Sequence, residues 1–153
     1  MRGYLRRRKD LKKLWLLLGL TVLASMAFVQ ARPKAKLIAD PTALYEAYNE
    51  MYFLGALPKG SNHVLISAEE ISCGIEEKCY GQTSQISRHQ YVIQISPIYN
   101  DTLAQEEETM LHEMCHIRVW ESHPDLDAKN AHGYEWQSCM VNLADHGAMA
   151  DIW

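Results

Sequence analysis

The sequence predicts an α+β domain: a small antiparallel three-stranded sheet packed with an N-terminal helix, a second helix carrying two histidines, and a C-terminal helix. Three observations lead there. Apolar residues recur at helical spacing over about residues 40–55 and again beyond residue 100, and three short segments rich in β-branched and aromatic residues lie between them. One of those segments alternates apolar and polar positions. The chain has 153 residues, 48% of them hydrophobic and 22% charged, enough for one domain with a buried core.

The first helix is read from "DPTALYEAYNEMYFLG". Asp40 is a candidate N-cap, Pro41 suits the first helical position, and Gly55 ends the run. Leu44, Ala47, Tyr48, Met51 and Tyr52 recur as a stripe expected to face the core. The strands are read from "HVLISA", "KCYGQTSQI" and "YVIQIS". In the last, Tyr91, Ile93 and Ile95 alternate with Val92, Gln94 and Ser96. Helical period returns in "SPIYNDTLAQEEETMLHEMCHIRVWESH", with Asn100 or Asp101 as cap and Glu106, Glu107 and Glu108 early, where the helix dipole favours them. Leu103, Met110, Leu111, Met114 and Val119 supply its apolar contacts, and Pro124 breaks the following loop. A final helix runs through "GYEWQSCMVNLADHG" and stops at Gly147.

Residues 1–36 differ in kind from 37–153. Arg2, Arg6, Arg7, Arg8, Lys9, Lys12 and Lys13 precede the uncharged run "LWLLLGLTVLASMAFV", and Val29 and Ala31 are small enough for signal peptidase. The reading is a signal peptide or signal anchor plus linker. It places the N-terminus in the cytoplasm and the domain 37–153 across a membrane: single-pass and anchored, or exported to the periplasm or extracellular space after cleavage.

From Leu37 onward the basic residues are Lys59, Lys78, Arg88, Arg118 and Lys129, against 18 acidic ones, a balance of 5 − 18 = −13. Such a surface repels phosphate backbones, so nucleic acid is not an expected partner. Cys73, Cys79, Cys115 and Cys139 allow three complete pairings. Cys73 and Cys79 bracket a short loop and suit a bridge, with buried free thiols as the alternative. No Cys-x-x-Cys pair suggests a structural zinc ribbon.

Chemistry concentrates in "TMLHEMCHIRVW". On a helix each residue turns about 100°, so His112 and His116 project side by side, as two ligands of one tetrahedral zinc require. Glu113 lands near the same face without pointing at the metal, where it can take a proton from the attacking water. With 7 His and 12 Glu, a shuffled chain would contain this pattern with probability of roughly 0.02, so chance is a poor account of it. Cys115 lies off the ligand face and reads as packing, with a bridge to Cys139 as one option.

A catalytic zinc needs a third protein ligand and an open fourth position. One known pattern takes glycine three residues after the second histidine and histidine six after it, but Val119 and Ser122 stand there. Another takes a glutamate from the next helix with an aspartate four residues on; Glu135 is available, but Cys139 holds the aspartate position. The remaining candidate is His132 in "AHGYEW". His123 and His146 read as exposed or dipole-satisfied histidines. Tyr91 and Tyr134, the two phenols considered as oxyanion stabilisers, read as core or surface residues.

With "HEMCH" followed by "HGYEW", the sequence resembles the SprT-like (Spartan) metalloprotease family, whose signature is a His-Glu-x-x-His helix, a loop, then His-Gly-x-x-aromatic. The edge-strand-like "YVIQISPIY", the Thr109–Leu111 lead-in and the first helix fit the same plan, so the resemblance covers roughly Asp40 to Trp153. It implies a minimal zincin-like domain in which His112, His116 and His132 bind Zn2+, Glu113 is the general base and Trp136 packs behind the ligand. The implied activity is zinc-dependent hydrolysis of peptide bonds in protein or peptide substrates by metal-activated water, without a covalent intermediate. The acidic domain, the membrane signal and the lack of a zinc ribbon or DNA-binding extension before Trp153 depart from relatives that repair DNA-protein crosslinks. The chemistry carries over, and that role does not. Two other readings stand beside it: a non-catalytic zinc-stabilised interaction module, and a membrane-tethered crosslink-type protease.

Overall fold

The structure is a computed structural model and describes residues 36–73, 78–126 and 131–149. These fall in one compact unit, and the expected leader and linker lie outside them except for Lys36. In chain order the elements are α1 (Pro41–Phe53), β1 (Val64–Ala68), β2 (Gly81–Ser87), β3 (Gln90–Ile95), α2 (Leu103–Ser122) and α3 (Tyr134–Asp145).

The class is α+β, as the periodicities require, but the sheet is mixed rather than antiparallel. Its order is β1-β3-β2; β2 and β3 pair antiparallel, whereas β1 pairs parallel with β3, Ile66 lying opposite Ile93. The connections explain the difference. Only Arg88 and His89 separate β2 from β3, a hairpin turn in which His89 takes φ 62. Residues 69–80 are long enough to carry the chain past β3 to the far side of the sheet. The segment read as an edge strand is therefore the central one. Tyr91, Ile93 and Ile95 are at most 2% exposed because α2 covers them.

The α1 helix starts at Asp40, whose carboxylate accepts from the backbone N–H of Thr42, and ends through Leu54 at φ 55 and Gly55 at φ 70. Its buried face differs from the predicted stripe: Ala47 and Met51 face outward, while Tyr45 and Asn49 are buried. Asn49 is drawn inward by hydrogen bonding, not apolarity. Its Nδ2 donates to Leu57 O (3.0 Å) and its Oδ1 accepts from Leu57 N (3.1 Å), closing the loop after the helix. Tyr45 adds a bond to Pro58 O at 2.8 Å.

In α2 the cap is Thr102, not Asn100 or Asp101. Thr102 and Gln105 form a reciprocal capping box. Asn100 is instead buried, its Nδ2 donating to Tyr80 O and Ser96 O while its Oδ1 accepts from Thr109 (2.7 Å). Met110, Met114 and Ile117 face the sheet fully buried, each contributing about 1.5–3 kcal/mol of burial energy, whereas Leu103 remains 44% exposed. The buried Glu106 carboxylate accepts from the backbone N–H groups of Ile38 and Ala39 and so pins the segment that leads into α1.

Both cysteine pairs are bridged, Cys73 to Cys79 and Cys115 to Cys139, with Cα separations of 5.6 and 5.8 Å. The second ties α3 to α2 inside a cluster of Leu111, Leu143 and Met149. Among the described residues no helix is long and apolar enough to cross a membrane. The expected single-pass membrane localisation is therefore corrected for the described residues; the run on which it rested, within residues 1–36, lies outside them except for Lys36. The longest described helix, α2, carries Glu106, Glu107, Glu108, Glu113, Arg118 and Glu121 and has no apolar span.

Candidate metal centre

His112 and His116 stand one turn apart on α2, on the side facing the loop into α3. His132 precedes Gly133, the N-cap of α3, and its backbone carbonyl accepts from Gln137 Nε2 at 3.0 Å. Docking of α3 brings the third ring over the other two. One ligand atom from each of the three imidazoles lies within 4.8 Å of the others, and the Nε2 atoms of His112 and His132 are 3.0 Å apart. Ring centroids are separated by 5.1, 5.0 and 4.9 Å.

The donor set fits a divalent metal. Burial, and then the charge of neighbouring imidazoles, lowers His112 to a pKa of about 4 and His116 to about 3. Both rings are therefore neutral at pH 7, as ligation requires, and their nitrogens converge where each would otherwise face a neighbouring lone pair.

Trp136 backs the cluster. Its ring centroid lies 4.6 Å from His112 and from His132 and 5.8 Å from His116, and its Nε1–H donates to His112 O at 3.3 Å. Cys115, between the two α2 histidines, points away into the disulfide.

Glu113 is only 3% exposed, and burial pushes its carboxyl up to about 7. Its Oε2 accepts from the Thr83 hydroxyl of β2 at 2.7 Å, which opposes that rise. A Cβ at Gly81 would meet Glu113 Oε1 at 2.7 Å and Thr109 Cγ2 at 2.6 Å, so only glycine leaves the carboxylate its place. Gly81→Ala is expected to cost about 1–3 kcal/mol by overpacking, because the added methyl meets the Glu113 carboxylate and Thr109. Thermal melting checks it; a variant that melts with wild type would show that β2 yields freely.

The raised carboxyl also makes a pH prediction. A group whose pKa is higher folded than unfolded costs stability above the folded pKa, and the cost fades toward the unfolded value. In metal-stripped protein, Glu113→Gln is therefore expected to melt several degrees above wild type near about pH 8, with the gain vanishing near about pH 4.5. A gain that holds or grows on acidification would contradict the burial account.

Two clefts flank Glu113. One of about 570 Å³ lies between the Cys73–Cys79 bridge and the first turns of α2, lined by Lys78, Gln105, Glu108 and His112 among others. The other, about 260 Å³, is lined by Gln82, Thr83, His116, Trp120 and His132. The remaining candidates lie elsewhere. Glu135, His123, His146 and the exposed Tyr134 line a separate groove between the ends of α1, α2 and α3. Tyr91 is buried in the core with its hydroxyl on Glu121.

Thr83, Gly81 and Trp120 were not singled out from the sequence. Alternation along β2 puts Gly81 and Thr83 on one face, but nothing local says that Glu113 lies opposite.

No curated protein and no solved structure gives a significant match to the chain. The model of the SprT-like family does match, over residues 42–151 of 153, a span that holds all of α1 but Pro41, the sheet, the histidine cluster and Glu113. The chain belongs to the SprT-like family, a family of metallopeptidase-type domains.

Proposed function

We propose that this chain is a zinc-dependent endopeptidase of zincin-like architecture that hydrolyses peptide bonds in protein substrates, with His112, His116 and His132 as metal ligands and Glu113 as general base. The observation that carries this reading is the pairing of three convergent imidazoles with a buried carboxylate from the residue next to the first of them. Three imidazole donors suit zinc, and a site with three protein ligands leaves a position for chemistry. A bound zinc would polarise the scissile carbonyl and make water acidic enough to be deprotonated near neutral pH.

The chain's own residues do the rest. Thr83 holds Glu113 Oε2, leaving Oε1 to take the proton of the attacking water and return it to the leaving nitrogen. The raised pKa of about 7 suits a group that must both accept and release that proton.

A peptide-shaped substrate is supported by the sheet. Among the described residues β2 has a neighbour on one side only. Ser96 N donates to Tyr80 O, which turns Tyr80, Gln82 and Ser84 toward β3 and leaves the backbone groups of Gly81, Thr83 and Gln85 facing the open side. An extended segment pairing there would run past Glu113 and the three rings. The −13 balance of residues 37–153 disfavours nucleic acid as a partner. The test is cleavage of casein: a zinc chelator is expected to abolish it and added zinc to restore it. Cleavage that persists after complete metal removal would end the metallopeptidase reading.

A further inference from the structure

Resting on the metal-site reading above, we infer that Trp120 is a positioning residue for His116, itself held in place by Tyr91 and Glu121. His116 has two indole neighbours: its ring is 5.8 Å from that of Trp136 and 5.8 Å from that of Trp120, inclined 29° to each. Trp136 is anchored within the site by its bond to His112 O. Trp120 is anchored from outside. It stacks on Tyr91 with ring centroids 6.0 Å apart and planes 1° from parallel.

Tyr91 belongs to the central strand and is 2% exposed, so its ring cannot swing away. Its hydroxyl donates to Glu121 Oε1 at 2.7 Å, and Glu121 Oε2 pairs with His89 Nδ1 at 2.7 Å in the β2–β3 turn. A continuous series of contacts therefore runs from the hairpin turn through the strand to one ligand ring.

The physical need is specific. The torsion that turns an imidazole about its Cβ–Cγ bond is broad, so a ligand ring without lateral support samples planes that miss the shared focus. Metal-ligating histidines are ordinarily oriented by outer partners, whose loss costs about 10–100-fold in affinity. The two indole rings stacked near His116 supply such orientation by packing. Trp120 is one residue from Glu121, so a single turn of α2 delivers both the ring and its anchor.

The test measures zinc affinity of the full chain by competition with a chelating dye, together with the visible spectrum of the cobalt-substituted protein. Trp120→Met keeps an apolar side chain and loses the plane; it is expected to bind zinc about 10-fold more weakly and to alter the cobalt spectrum. Trp120→Phe restores a plane and is expected to lie within about 3-fold of wild type. A Trp120→Met chain that binds zinc as tightly as wild type with the same cobalt spectrum, or that fails to fold at all, assigns the indole to packing alone and overturns the inference. Zinc-free wild-type protein under saturating conditions would instead sink the metal site itself.

Discussion

Replacing Glu113 by glutamine is expected to leave zinc bound at the wild-type stoichiometry and to lower casein hydrolysis by about 10²–10⁴-fold. The two parts separate for a structural reason. Glu113 supplies no atom to the histidine cluster, and its carboxylate is held by Thr83 and seated on Gly81 instead. A glutamine of the same shape can accept the Thr83 hydrogen bond and fit the same space, so the ligands need not move. What it lacks is an oxygen able to take a proton near neutral pH. Metal analysis and turnover measured on one preparation decide the matter. Retained zinc with full turnover would remove Glu113 from the chemistry, whereas zinc bound in wild type and variant with no casein cleavage by either would assign the cluster to a stabilising site in a binding module, which needs no general base.

The same residue shows where the sequence was legible and where it was not. Two histidines four apart with an intervening glutamate encode their own geometry, since helical pitch alone puts both rings on one side. His132 became legible through the second motif, "HGYEW", and not through spacing; its nearness to His112 depends on how α3 docks, which the Cys115–Cys139 bridge and Trp136 help to enforce. Thr83 and Gly81 were invisible because their role is tertiary. A threonine and a glycine in a polar strand look like ordinary sheet residues until a helix crosses them.

The sheet shows the same division. Period-two alternation located β3, but alternation is blind to the direction of a partner strand, and a twelve-residue connection permits either sense. Likewise, Asn49 has no place in the apolar stripe read for α1, and only the loop at Leu57 explains why it turns inward. Local chemistry wrote the elements and the first two histidines of the cluster; long-range contacts wrote the strand order, the cradle around Glu113 and the approach of the third histidine.

His132→Ala is expected to weaken zinc binding by well more than the roughly 10–100-fold that loss of an outer partner costs, and to abolish casein cleavage with it. Two imidazoles on one helix remain, but they offer an ion only two of the three protein donors that hold a catalytic zinc. The fold should survive the change. His132 is exposed, its side chain contributes nothing to either buried cluster, and the contacts that seat α3 come from Leu143, Trp136 and Cys139. An unchanged melting temperature for metal-stripped variant and wild type, beside a lost metal, is therefore the expected pattern. His123→Ala supplies the control, because His123 lines the separate groove beside α1 and should leave both zinc content and turnover as they were. Equal zinc in wild type and His132→Ala would remove the third ligand, and then the Nε2 to Nε2 approach of 3.0 Å would need an explanation other than a shared ion.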